Sequence, residues 1–417
     1  MFIVSGGNVS DPLEIPEYND WQAFERARPE DRERAVLSAI NRAKRERTIL
    51  SPAESLNAVT VGAQHHDNIA ARPAGHLAID PYNDNTLPNV SSGLGLGYRR
   101  AIKPEIYLAG GREHVRMIRS GGGLAVGICS PQRVFGLGAA APDPSGQGRL
   151  DYSALSDGTS SATALATRAA HRIFDALMDR EGGSALADLD PRYYAVVVKA
   201  LLIHRARWNG NGELLKEICG PENRRQNVER AENACRFIGY GVPNIEESIE
   251  CSAQRATLVG FGELSPGEAH SFRVPLPGCL ERVTDPRSLT VTVAWFSPVK
   301  SGHQSYRCAR LEAAPINAPL EALGVERLKT QPADATVKRG AIFHEHFYGS
   351  SAIPFIDDGH LALRVCAKRT QEALNIQFVT ESPSRLRRKL LSPCTKKSSS
   401  GSESGQGHMA DAHLKPV

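Results

Sequence analysis

The chain has 417 residues, 41% of them hydrophobic and 23% charged, with a net charge of +4. That length can bury a sizeable core in two or three domains, and its apolar runs, such as Ala195 to Ile203, fall far short of the roughly twenty residues a bilayer crossing requires. The small basic excess sits partly in Arg385-Leu386-Arg387-Arg388-Lys389, which reads as a solvated tail, so neither a nucleic-acid nor a membrane partner is expected.

In chain order, Phe2 to Ser5 reads as an apolar strand running into Gly6-Gly7-Asn8. Met1 leads almost directly into it, with no basic region or cleavage site, so no secretory signal is read there. Pro29 to Arg47 is a predicted helix expected on the flank of a sheet. It has acidic residues in its first turns, Arg42 to Arg47 in its last, and an apolar stripe of Val36, Leu37, Ile40 and Ala43. Leu56 to Ala63 and Lys103 to Gly111 are short strands. Val115 to Ile118 and Leu124 to Val126, around Gly121-Gly122-Gly123, predict an inserted hairpin, not a phosphate loop.

A helix opens at Ser160, with Ala162, Ala166, Ala169, Ala170, Ile173, Phe174 and Leu177 at helical spacing, and Arg192 to Ala206 predicts another. This alternation predicts an α/β fold with a parallel sheet covered by helices on both faces. Gly239-Tyr240-Gly241 marks its closing turn. From about Ala256 the period becomes two, in Leu289 to Trp295 and Leu361 to Ala367, which predicts a jelly-roll-like antiparallel β-sandwich. The expected domains are 1–248, 249–381 and a disordered, Lys-, Ser- and Gly-rich tail at 382–417.

Two segments carry chemistry. Gly158-Thr159-Ser160-Ser161-Ala162 places a serine at a helix start, where unpaired backbone N–H groups favour an anion, and Asn8 ends a strand with an amide donor. With the Val59-Thr60-Val61-Gly62-Ala63 and Lys103-Pro104-Glu105 strands between them in order, these motifs resemble those of the subtilisin-like serine proteases, the subtilases. The resemblance covers about residues 1 to 248. It departs in the serine motif, where Thr163-Ala164 stands in place of the family's Thr-Pro.

The resemblance implies a subtilisin-like fold and a serine endopeptidase that cleaves a protein or peptide substrate through an acyl-enzyme. Ser160 would be the nucleophile, Asn8 would complete the oxyanion hole, and Gly7, Gly158 and Thr159 would line the cleft. The family's aspartate and histidine precede the asparagine, which here is residue 8. The expectation is therefore a catalytic domain lacking its front, needing a missing N-terminal segment or complementing chain, and nearly inactive alone. A pseudoprotease that binds without cutting is the alternative.

His65-His66-Asp67 follows the wrong strand to supply the base, and His171 lies about 16 Å along the serine helix. His344-Glu345-His346 puts two imidazoles on one strand face, but no third ligand stands at a recognisable spacing, so no metal or other cofactor is expected. The family's calcium ligands match nothing here. Eight cysteines without a C-x-x-C pair read as free thiols in a reducing cytoplasm.

Overall fold

The structure, a computed structural model, describes residues 1–67, 78–83, 86–129, 137–141, 143–182, 184, 186–221, 223, 226–250, 255, 257–275, 284–302, 306–315, 324–351, 360–368 and 409–411. In chain order the first half contains β1 (Ile3–Ser5), β2 (Leu13–Ile15), α1 (Trp21–Arg26), α2 (Pro29–Arg42), β3 (Val59–Gln64), β4 (Ile106–Ala109), β5 (His114–Arg119), β6 (Leu124–Cys129), β7 (Leu137–Ala140), β8 (Ser153–Ser156) and α3 (Thr159–Met178). There follow α4 (Pro191–His204), α5 (Asn211–Ile218), α6 (Asn227–Ile238) and α7 (Ile245–Ile249). The C-terminal part adds β9 (Leu258–Gly260), β10 (Ala269–Pro275), β11 (Arg287–Ala294), β12 (Leu311–Pro315), β13 (Glu326–Arg327), α8 (Asp334–Val337), β14 (Ile342–Gly349), β15 (His360–Ala367) and β16 (Met409–Asp411).

The parallel sheet has the order β1-β3-β4, with Ile3 opposite Val59 and Val61 opposite Ile106. Val59, Val61 and Ala63 are buried in its central strand. Tyr107 lies so close to Gly62 that a Cβ there would sit 2.1 Å from its ring, which explains the glycine after the β-branched run Val59-Thr60-Val61. Among the described residues β1 has β3 as its one strand neighbour, so its other edge is free.

Helix α3 packs across β1, β3 and β4, burying Ala162, Ala166, Ala169, Ala170 and Ile173. Small side chains on that face let the helix lie close to the sheet. The predicted flanking helix α2 is shorter than expected and packs mainly on β2 and α5. It therefore buttresses a second, antiparallel sheet of order β2-β6-β5. That sheet contains the predicted hairpin, turned at Gly121 to Gly123, and β7 and β8 form a further hairpin before the serine helix.

The C-terminal part forms two three-stranded antiparallel sheets, β10-β15-β12 and β11-β14-β13. The first half joins it through α4, which packs on β11 and β14, and through Asn57, whose side chain donates to Ser297 O at 2.8 Å and accepts the Ser297 N–H at 2.9 Å. Within the tail expected to be disordered, the backbone of Met409–Asp411 pairs with β9 as an antiparallel strand. The basic run at 385–389 and the Ser-rich run at 398–402 lie outside the described residues. Among the described residues no helix is long and apolar enough to cross a membrane.

Candidate active site

The C-terminal end of β1 and the N-terminal turn of α3 meet, although 152 residues separate them in sequence. Asn8 Oδ1 accepts the Thr159 N–H at 2.9 Å and the Thr159 hydroxyl at 3.0 Å, and Gly7 N–H donates to that same hydroxyl at 3.2 Å. With its carbonyl engaged by Thr159, the Asn8 side chain still has its Nδ2 donor to offer.

Gly158 makes this approach possible. Its φ is +98°, and a Cβ would sit 2.7 Å from Asn8 Nδ2, so a larger residue would displace the amide. Gly158 has no side chain to cap the helix, and Asn8 takes the Thr159 N–H, which leaves the next amide, that of Ser160, for an anion. Ser160 and Asn8 are both exposed to solvent at this junction, while Gly158 and Thr159 are buried beneath them.

Residues 1–241 match the family model described as the Subtilase family. The chain belongs to the subtilase family. A curated relative, the "Uncharacterized protein y4bN" of Sinorhizobium fredii (strain NBRC 101917 / NGR234), is 24% identical over 282 residues, which is 65% of this chain and 54% of that protein. The chain thus spans about half the length of this relative. Family membership relates the chain to the serine peptidases of the subtilase class.

The histidine pair on the strand after Asn8 is committed elsewhere. His65 is fully buried, its Nδ1 accepts the Glu113 N–H at 3.3 Å, and its Nε2 therefore donates to Asp80 Oδ1 at 2.9 Å. Asp67 holds Arg112 at 2.9 Å. His171 is exposed on α3. Among the described residues, no histidine hydrogen-bonds Ser160.

One acidic residue at the site was missed by sequence reading. Asp157 is half-buried, and its Oδ2 has no hydrogen-bond partner among the described residues. Burial first, and the nearby Glu113 carboxyl second, push its pKa up to about 7. A protonated Asp157 leaves the positive end of α3 unopposed, whereas an ionised one repels an anion forming there.

The folded pKa exceeds the unfolded one, so the stabilising contribution of this proton is whole below about pH 4 and is lost as pH rises through about 7. Asp157→Asn cannot ionise. It should raise stability at about pH 8 by about 1–2 kcal/mol, a figure kept small by solvent screening, and leave it unchanged at about pH 4. Urea titrations at both pH values check this, and equal effects at the two would refute the assignment.

Proposed function

We propose that the chain carries the nucleophile and oxyanion half of a subtilisin-like serine endopeptidase. The observation that supports this most is the pairing of Asn8 with Thr159, which brings an amide side chain to the helix start that carries the exposed Ser160. In the reaction, Ser160 Oγ attacks the scissile carbonyl as its proton passes to a base. The oxyanion is held by the Ser160 N–H and Asn8 Nδ2, and the amine leaves protonated. Water then hydrolyses the acyl ester. Gly7, Gly158 and Thr159 border the cleft that receives the peptide.

A serine hydroxyl needs a positioned base, which contributes roughly 10²- to 10⁴-fold. In this reading a histidine and its carboxylate partner reach Ser160 from a segment that adds a strand to the free edge of β1. The exposed Phe2 marks where that segment would pack. The chain by itself is then inactive or nearly so. The two C-terminal sheets are read as the faces of an appended sandwich.

A fluorophosphonate probe reports an activated serine. The isolated chain should remain unlabelled, and adding a polypeptide bearing the family's aspartate and histidine strands should produce labelling at Ser160 that Ser160→Ala abolishes. Labelling of the isolated chain at Ser160 would overturn the need for a complementing segment. The lack of a histidine on Ser160 among the described residues also favours a second reading, a pseudoprotease. Persistent absence of labelling together with retained peptide binding would establish that one.

A further inference from the structure

Away from Ser160, a solvent-open cavity of about 750 Å³ lies between the turn after α2, the Tyr98–Arg100 turn, one face of α6 and the segment after α8. Lys44, Arg45, Arg100, Arg236 and Arg339 line it, against the two carboxylates of Glu229 and Glu232. Its volume is that of a small-molecule site, and among the described residues none of the side chains lining it is an aromatic ring on which a base could stack.

Three features show how the cations are held in place. Glu232 is 3% exposed, and its Oε1 accepts from Arg100 Nε at 2.7 Å and from Arg339 Nη1 at 2.9 Å, so one buried carboxylate sets two guanidinium groups side by side. Arg99 and Arg100 both adopt left-handed backbone, at φ 53° and 62°. For residues with a Cβ that conformation is unfavourable and persists where the surroundings demand it. Arg236 donates through Nη1 to Gly95 O at 2.6 Å, while its buried Nε has no partner among the described residues. A planar guanidinium retains forked donors after one such bond, and forks of this kind match phosphate oxygens.

We propose that this cavity binds a small, multiply phosphorylated anion, recognised by charge and guanidinium geometry and not by a base. The concave shape and the pre-set Arg100 and Arg339 pair favour a compact polyanion over an extended acidic peptide. Arg45, exposed at the rim, meets the ligand first.

Isothermal titration with sodium tripolyphosphate tests the proposal on the full chain. Saturable binding is expected that weakens when the salt is raised from about 50 to about 300 mM, as screening requires. Arg45→Gln and Arg339→Gln should each weaken it by about tenfold, with unchanged circular dichroism, while Arg149→Gln on the distant β7–β8 loop should not alter it. Arg45 is at the surface, so its variant keeps the test valid even if Arg339→Gln fails to fold. An absence of binding heat, a heat unaffected by Arg45→Gln, or equal affinity for an oligo-glutamate peptide of matched charge would each overturn it.

Discussion

Replacing Glu105 with alanine is expected to lower the stability of the fold by about 3–5 kcal/mol, because it strips the partner from a buried charge. Lys103 and Glu105 are 1% and 3% exposed, and Lys103 Nζ lies 2.5 Å from Glu105 Oε1. The same ammonium donates to Ala58 O at 2.7 Å, and Glu105 Oε2 accepts the Thr60 N–H at 2.7 Å, so the pair ties the start of β4 to β3. Burial pulls the Lys103 pKa down, and Glu105 opposes that pull. Without Glu105 the lysine would have to lose its proton or remain charged in an apolar setting.

The double variant Lys103→Met/Glu105→Leu removes both charges and should recover about half of the loss, the remainder reflecting Ala58 O and Thr60 N–H left unpaired. Urea unfolding of the wild type, the single and the double variant measures this. A single-variant loss below about 1 kcal/mol would show that the pair is not the anchor inferred from its burial.

The meeting of Asn8 with the start of α3 is easier to read from the sequence than its surroundings, and the reason is local. Ser160 and Asn8 are legible because each stands where a regular element meets a glycine turn, and the alanines of α3 announce a helix that must lie close to a sheet. The lysine and glutamate of Lys103-Pro104-Glu105 read as part of a strand motif, but their partners Ala58 and Thr60 are more than forty positions away, so nothing local marks them as a buried pair. Helices α5 and α6 went unread for a similar reason. Asn233 and Glu232 are buried polar residues on α6, which blurs the apolar stripe that would have given the helix away. Asp157 looks like an ordinary turn residue until folding sets Glu113 beside it.

The His344-Glu345-His346 motif shows what tertiary context adds, and it carries the other large expected effect. Both imidazoles point from β14 to the end of α4, where His344 Nε2 and His346 Nε2 lie 3.1 and 2.7 Å from Ala206 O. Thr292 and Thr290 hydroxyls engage their Nδ1 atoms at 2.7 and 2.9 Å, and His204 Nδ1 shares the Thr292 hydroxyl at 3.1 Å. Neutral His344 and His346 rings protonated at Nε2 share Ala206 O, with those nitrogens 3.0 Å apart, and take the Thr292 and Thr290 hydroxyl protons at Nδ1, so His204 donates from its Nδ1 to the Thr292 oxygen. The network pins α4 to the C-terminal sheets.

Burial, then neighbouring positive groups that include Arg205 and Arg207, lower the pKa of His204 to about 3. Burial is also the first cause at His346, lowered to about 4, and at His344, held well below the ordinary value. Because the folded pKa values lie below the unfolded value of about 6.5, these rings support the fold fully above about pH 6.5. That support is lost as pH falls toward about 4, by about 3 kcal/mol for each of His204 and His346, against a total stability of order 5–15 kcal/mol for a typical domain. Urea unfolding followed from about pH 7 to about pH 4 should therefore show a steep decline. The variant His346→Gln, which cannot titrate, should flatten that decline by about 1.4 kcal/mol per pH unit. Stability that stays level between about pH 7 and about pH 5 would mean that these histidines are solvated and do not seal the seam.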